Sequence, residues 1–301
     1  MSIVIPPIKS QGIKTKLIPW INDLILSSGV SLDAQWIEPF FGTGVVGFNS
    51  PIKGKHIVGD TNPHIINFYQ EVQRGVITPD TMREFLQKEG ALLETAAEDG
   101  YEHYRNVRNR FNRDFCSYDF IFLSRAGFNG MMRFNRLGEW NIPFCKKPKR
   151  FAPAYISKIC NQIGRVAQVI KMRDWEFHNT PFIETIAYAQ EGDLIYCDPP
   201  YYGRHVDYYN GWTEKDEESL FYALSTTPAK FILSTWHHND YRSNPMIAQY
   251  WSRFNILTRE HYYHSGGRIE NRNSIIEALV FNFELKESKI IPPYTQIKLF
   301  S

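Results

Sequence analysis

Cysteine is scarce. The chain has 301 residues and four cysteines, Cys116, Cys145, Cys160 and Cys197. None forms a CxxC pair and none has a histidine at zinc-finger spacing, which argues against a disulfide scaffold or a structural zinc site. The expectation is free thiols in a reducing cytoplasm. No apolar run is long enough to cross a membrane. Met1 to Pro7 lacks the basic stretch and long apolar core of a signal peptide. Internal repeats and low-complexity tracts are missing too, so a solenoid or disordered array is not expected.

Strong net charge is also lacking, at +2 overall, but that total hides an asymmetry. Residues 101–173 carry 15 Lys and Arg against 4 Asp and Glu, a local +11, which leaves −9 for the rest. A basic block in a mildly acidic chain is the footprint of a polyanion-binding insert.

With 43% hydrophobic residues the chain can fill an α/β core and a smaller lobe. Residues 1–70 read as helix, strand, Gly-rich turn, helix, strand. Leu17, Ile18, Ile21, Leu24 and Ile25 give helical spacing over Thr15 to Leu26. Gln35 to Phe40 and His56 to Asp60 read as strands. Residues 71–173 are charged, mostly helical in pattern, with a Gly- and Asn-rich stretch from Gly127 to Gly138. Residues 174–301 return to alternation, with strands at Asp193–Cys197, Phe231–Ser234 and Ala278–Asn282 and a helix at Asp216–Leu224. This predicts a mostly parallel sheet covered by helices, formed by 1–70 and 174–301 and interrupted by an insert over 71–173.

Glu38-Pro39-Phe40-Phe41-Gly42-Thr43-Gly44 lies where a strand feeds a turn. Glycines there let backbone approach a ligand closely, although an ordinary tight turn has the same composition. Asp60 ends the next strand, 16 residues after Gly44, and suits two ribose hydroxyls. A full G-x-G-x-x-G is missing, which favours a nucleoside cofactor without phosphates, such as S-adenosylmethionine.

Asp198-Pro199-Pro200-Tyr201 follows a strand directly. Two prolines stiffen the loop, and a stiff loop at a strand's carboxyl end is where open α/β sheets place ligands. An amine on an aromatic base is a poor nucleophile because its lone pair is delocalised. Acceptors from Asp198 and the Pro199 carbonyl can draw density back to nitrogen while Tyr201 stacks on the base. A Pro-rich turn started by Asp is the alternative.

Together these features resemble the class-α, Dam-like (D12) DNA adenine-N6 methyltransferases, in order along nearly the whole chain. Lys9-Ser10-Gln11-Gly12-Ile13-Lys14 is similar to the N-terminal cofactor motif, without the family's aromatic residue and one of its glycines. The resemblance implies a Rossmann-like methyltransferase sheet. It assigns Gly12, Lys14, Glu38, Pro39, Phe40, Gly42, Gly44, Asp60, Asp174, Trp175 and Asp198 to the cofactor. Asp174-Trp175 resembles the acidic–aromatic pair beside the cofactor adenine. The segment Arg125 to Asn135 resembles the DNA-reading segment. The EcoRV-type modification methylases are most alike, through Pro6-Pro7-Ile8-Lys9-Ser10-Gln11-Gly12, Gly203 to Tyr208 and Ser234 to Tyr241. That likeness implies a short palindrome containing GAT, such as GATATC, and a cognate restriction endonuclease.

Duplex DNA then requires the adenine to be flipped out, with Phe128 as a wedge, Arg133 on guanine, and Asn129 on adenine or phosphate. Arg125 and Asn135 belong to the same segment. Arg105, Arg108, Arg110 and Arg113, at helical spacing, suit phosphates, as do Lys146, Lys147, Lys149 and Arg150. His237-His238 lacks a third ligand, so no metal is expected. Tyr262-Tyr263-His264 before Gly266-Gly267-Arg268 reads as core or as a loop near DNA. A monomer in the cytoplasm of a bacterium, or encoded by a phage, suffices. The rivals are an rRNA amino-group methyltransferase, usually without the basic insert; a protein glutamine methyltransferase, usually with Asn in place of Asp198; and a non-catalytic DNA-binding protein.

Overall fold

The apolar runs become strands whose successive side chains face opposite sides of one sheet. In chain order the strands are β1 (Trp36–Glu38), β2 (His56–Gly59), β3 (Trp175–His178), β4 (Leu194–Cys197), β5 (Lys230–His238), β6 (Asn255–Tyr262), β7 (Ser274–Phe281) and β8 (Thr295–Ile297). The structure is a computed structural model that describes residues 2–10, 12–203, 211–262, 274–286 and 295–297. The order across the sheet is β3-β2-β1-β4-β5-β7-β6-β8. The first five strands are parallel, and β7 enters antiparallel between β5 and β6.

The helices are α1 (Ile18–Ser27), α2 (Pro63–Gln73), α3 (Pro79–Thr95), α4 (Tyr101–Asp114), α5 (Ser117–Ala126), α6 (Pro153–Met172), α7 (Phe182–Ile186), α8 (Glu214–Thr226) and α9 (Pro245–Gln249). On one face Trp36, Val58, Tyr196 and Ile232 pack with α1, α2 and the α3–α6 group. On the other Ile37, Ile57, Ile195 and Phe231 pack with Leu220 of α8 and Met246 of α9. The period of two along each strand therefore feeds two separate cores. The result is the doubly covered α/β sheet that the alternation predicts, in the Rossmann-like form that the resemblance implies.

Three expectations shift. The helix foreseen after the Gly-rich turn is only a short 3-10 turn, Gly47–Asn49. Ser50-Pro51 follows; proline has no N–H to donate and bars the preceding residue from helical backbone. The first helix begins as a 3-10 turn, Lys14–Leu17, and becomes α-helical at Ile18, where Pro19 occupies the first turn. Helix α8 starts two residues earlier than its apolar pattern, because Thr213 and Asp216 close a capping box.

Candidate active site

β2, β1 and β4 are neighbours, and the chain reverses its direction of travel across the sheet between β1 and β4. Their carboxyl ends flank the crevice where such sheets bind ligands. Each end carries an acid. Glu38 closes β1, is 2% exposed, and accepts a 2.9 Å bond from Trp36 Nε1. Burial pushes its carboxyl well above the usual range. An ideal Cβ on Gly47 would lie 2.5 Å from Glu38 Oε2, so the turn passes over the carboxylate only because residue 47 has no side chain. Gly44 adopts φ +77°, with the Phe41 and Phe48 rings where a side chain would go.

Asp60 follows β2. Gly42 N–H donates to Oδ2 at 2.7 Å and Asn62 N–H to Oδ1 at 2.8 Å, so the β1 turn and β2 are tied through one carboxylate. Burial raises the Asp60 carboxyl pKa against these donors. Phe40 stacks on Phe182, with ring centroids 5.2 Å apart, and meets Trp212 edge-on at 5.6 Å.

Asp198 follows β4 on the Pro199-Pro200 loop. Lys14 Nζ lies 3.3 Å from Asp198 Oδ1, donates to the Tyr201 hydroxyl at 2.5 Å, and sits 4.6 Å from the Tyr201 ring centroid. The Tyr201 hydroxyl donates to Glu277 Oε2 at 2.5 Å, and Lys14 Nζ is 3.7 Å from the same oxygen. Burial lifts the Asp198 carboxyl to about 6; Lys14 pulls it down and Glu277 pushes it up. At neutral pH Asp198 is therefore an ionised, partly desolvated acceptor. Such a group is a stronger hydrogen-bond partner than a hydrated carboxylate.

A family profile described as D12 class N6 adenine-specific DNA methyltransferase matches residues 10–265, spanning the acids of β1, β2 and β4 and the loop from Arg125 to Asn135. The chain belongs to this family. The Retron Ec67 DNA adenine methylase of Escherichia coli is 31% identical over 191 residues, 61% of this chain and 61% of that protein. The DNA adenine methylase of Vibrio cholerae is 30% identical over 173 residues, 56% of each. The type II methyltransferase M.FokI of Planomicrobium okeanokoites is 25% identical over 293 residues, 94% of this chain but 43% of that protein. The chain thus spans about half the length of the curated relatives it matches. Among solved structures, the rRNA methyltransferase aviRa of Streptomyces viridochromogenes superposes with a TM-score of 0.38 at 9% identity, over 94% of this chain and 90% of that one, a likeness too slight to bear on the site.

Within this D12 chain the structure brings Lys14, Glu38, Pro39, Phe40, Gly42, Gly44, Asp60 and Asp198 to Tyr201 to the strand ends and loops around one crevice, with Gly12 (φ +73°) two residues before Lys14. It does not bring Asp174 and Trp175 there. Trp175 opens β3 and pairs with His56 at the start of β2, so both residues lie at the sheet's amino edge. Trp175 is core, stacked on Phe177 at 5.7 Å. The carboxyl end of β3 offers His178 and Asn179 instead, and Asn179 Nδ2 donates to the Asp60 carbonyl at 2.8 Å.

The DNA segment divides in the same way. Phe128 and Asn129 are exposed on a turn, as a wedge and a contact residue require, and Lys146 and Lys147 are exposed. Arg133 is half-buried, and its Nε donates to Asn141 Oδ1 at 2.9 Å. Arg125 is not a surface group. It is 5% exposed and donates to the Pro7 carbonyl, Gln162 and Tyr155. Asn135 is committed to its own turn, accepting from Leu137 and Glu139 N–H and donating to the Glu139 carboxylate. Arg110 is held by Asp119 and Glu89, and Arg113 by Asp114. Arg108 lines an open polar cleft with Asn109 and Glu139. Arg204 to Tyr208 and Tyr263 to Arg268 lie outside the described residues, as does Gln11. Among the described residues no group of three His, Cys, Asp or Glu side chains could hold a metal ion, and no helix is long and apolar enough to cross a membrane.

Sequence reasoning missed Glu277 and Asn179. Glu277 had a signal: one acid inside the apolar run Ile275-Ile276-Glu277-Ala278-Leu279-Val280. A charged residue fully buried in a strand needs a partner.

Proposed function

We propose that the chain transfers the methyl group of S-adenosylmethionine to the N6 amino group of adenine in double-stranded DNA. The observation that carries this reading is Asp198, desolvated yet held against Lys14 on a double-proline loop at the reversal point of a D12-family sheet.

The residues suit this cofactor. The β1 turn leads into a 3-10 turn rather than an α-helix, so no helix amino terminus faces a pyrophosphate. Glu38, Asp60 and Asp198 make the strand ends acidic, which disfavours phosphates and suits a cation. Asp60 would hold the ribose; Glu38 and the backbone at Gly42 to Gly44 would hold the amino-acid end. When bound, S-adenosylmethionine supplies a methyl group on a positively charged sulfur.

The chain's own part is to bind, flip and polarise the adenine. Asp198 accepts one N6–H and the Pro199 carbonyl the other, which returns lone-pair density to nitrogen. The Tyr201 ring holds the base in line. The proton that the methylated nitrogen must shed would leave along the N–H that Asp198 accepts, and from there to solvent. Residues 71–173 serve as the target-recognition insert, with Phe128 entering the vacated stack and Arg133 and Asn129 at base edges. Lys146 and Lys147 contact phosphate. A GAT-containing site and a companion endonuclease complete the reading, with the protein acting as a monomer in the cytoplasm.

The test is transfer of labelled methyl to duplex plasmid DNA, followed by mapping of modified adenines. N6-methyladenine at one short site, abolished by Asp198→Ala, is the expected result. Label only in structured RNA, or none with tight DNA binding, would overturn the proposal.

A further inference from the structure

Glu277 is fully buried, yet it lies on β7, at the far end of the chain from the Gly-rich and Asp-Pro-Pro-Tyr motifs. β7 is the antiparallel strand inserted beside β5, and Glu277 sits in register with Trp236 of β5 and Arg259 of β6. From there its carboxylate accepts the Tyr201 hydroxyl at 2.5 Å and approaches the Lys14 ammonium at 3.7 Å. Both recipients belong to the reaction proposed above: Lys14 faces Asp198, and Tyr201 carries the ring on which the base rests. A tyrosine on a loop can turn about two side-chain torsions. A bond from its hydroxyl to a carboxylate rooted in a central strand removes that freedom at the ring's far end.

We propose that Glu277 is a positioning residue for methyl transfer. Its carboxylate fixes the Tyr201 ring by the hydroxyl and holds Lys14 at Asp198, without itself touching base or cofactor. This rests on the function proposed above. It differs from a purely structural role in acting through the Tyr201 hydroxyl, so the two groups must be coupled in rate.

The experiment is a double-mutant cycle of Glu277→Gln, Tyr201→Phe and both together. It is read as kcat and KM for duplex DNA, and as the calorimetric Kd for S-adenosylmethionine. Glu277→Asp serves as the charge-conserving control. Glu277→Gln keeps the size of the side chain and should lower kcat on the order of 10- to 100-fold, with KM and cofactor Kd within about threefold. The double variant should be no slower than the slower single variant. Glu277→Asp should recover part of the loss.

A Glu277→Gln rate within about twofold of wild type overturns the assignment. So does a double variant whose losses multiply, or a weakening of cofactor binding as large as the loss of rate. Glu277→Asp keeps the carboxylate, so a variant that folds but gains nothing over Glu277→Gln also counts against it. A wild-type protein that transfers no methyl to duplex DNA overturns both this assignment and the proposed function; an active wild type with an unaffected Glu277→Gln overturns this assignment alone.

Discussion

Replacing Lys14 by methionine should move the acid limb of the reaction rather than simply lower the rate. Lys14 is 3.3 Å from the Asp198 carboxylate, and its own side chain is almost fully enclosed. At an effective dielectric of about 20, opposite charges at that distance attract by roughly 5 kcal/mol. Asp198 keeps about a quarter of its side chain in solvent, so screening reduces this to roughly 2–3 kcal/mol, or about two pK units. The wild-type carboxyl sits at about 6. The proposed polarisation of N6 draws on the ionised form, so activity should be present above that value and be lost as pH falls through it. In Lys14→Met the limb should appear near pH 8 by the same arithmetic. At pH 7 wild type would be about nine-tenths ionised and the variant about one-tenth, roughly a tenfold loss that returns at pH 9. Methionine fills the same buried space but leaves Glu277 and Tyr201 without the ammonium, so urea unfolding should show some loss of stability beside the shifted limb. The assay is kcat/KM for the cofactor against pH, which reports the free enzyme. A variant slowed equally at every pH, with its limb still near 6, would refute an electrostatic role for Lys14 at Asp198.

Gly47→Ala should drive a methyl group into Glu38 Oε2 and raise the cofactor Kd about tenfold or more, with a stability loss of about 1–3 kcal/mol; calorimetry and urea unfolding separate the two. Arg125→Leu should destabilise the fold by about 2–4 kcal/mol, because it strips partners from the buried Pro7 carbonyl and Gln162, whereas Arg133→Ala should leave urea stability near wild type and relax site choice in plasmid mapping. His56 is enclosed, with Nδ1 bonded to the Gly54 carbonyl and Nε2 accepting from Arg173, and burial holds its pKa at about 3. It is therefore neutral in the fold but protonates near its ordinary value once unfolded, so stability is full above about pH 6.5 and falls below it, by up to about 1.4 kcal/mol per pH unit. Urea midpoints at pH 7 and pH 5 should show this fall, and His56→Gln should flatten it.

The motifs that are local in sequence were legible before any fold was known. Gly42, Gly44 and Asp60 belong to one turn and the next strand end, and Asp198 to Tyr201 are consecutive, so each half of the candidate site is written within a few residues. The alternation of strands and helices was enough for the doubly covered sheet. Errors arose where the outcome depended on which end of an element a residue occupies. Asp174-Trp175 has the right composition for a cofactor contact but opens β3 rather than closing it. Counting charge also cannot separate Arg125, enclosed by Gln162 and Tyr155, from Lys146 on the surface. Glu277 escapes because the apolar run reads as a strand only from Ala278, four residues after β7 begins at Ser274. Its role depends on a pairing of β7 with β5 that no local pattern encodes.

The insertion of β7 beside β5 also sets the order in which these contacts can close. Lys14 reaches Tyr201 across 187 positions of chain, and Tyr201 reaches Glu277 across a further 76. A ribosome delivers Lys14 early and its carboxylate partners much later, and contacts so distant in sequence are slow to close. A nascent chain that has completed β1 to β4 holds the Gly-rich turn and the double-proline loop, but no strand yet clamps the tyrosine. On the function proposed above, the full rate would arrive only once β7 has paired with β5, late in the making of the chain.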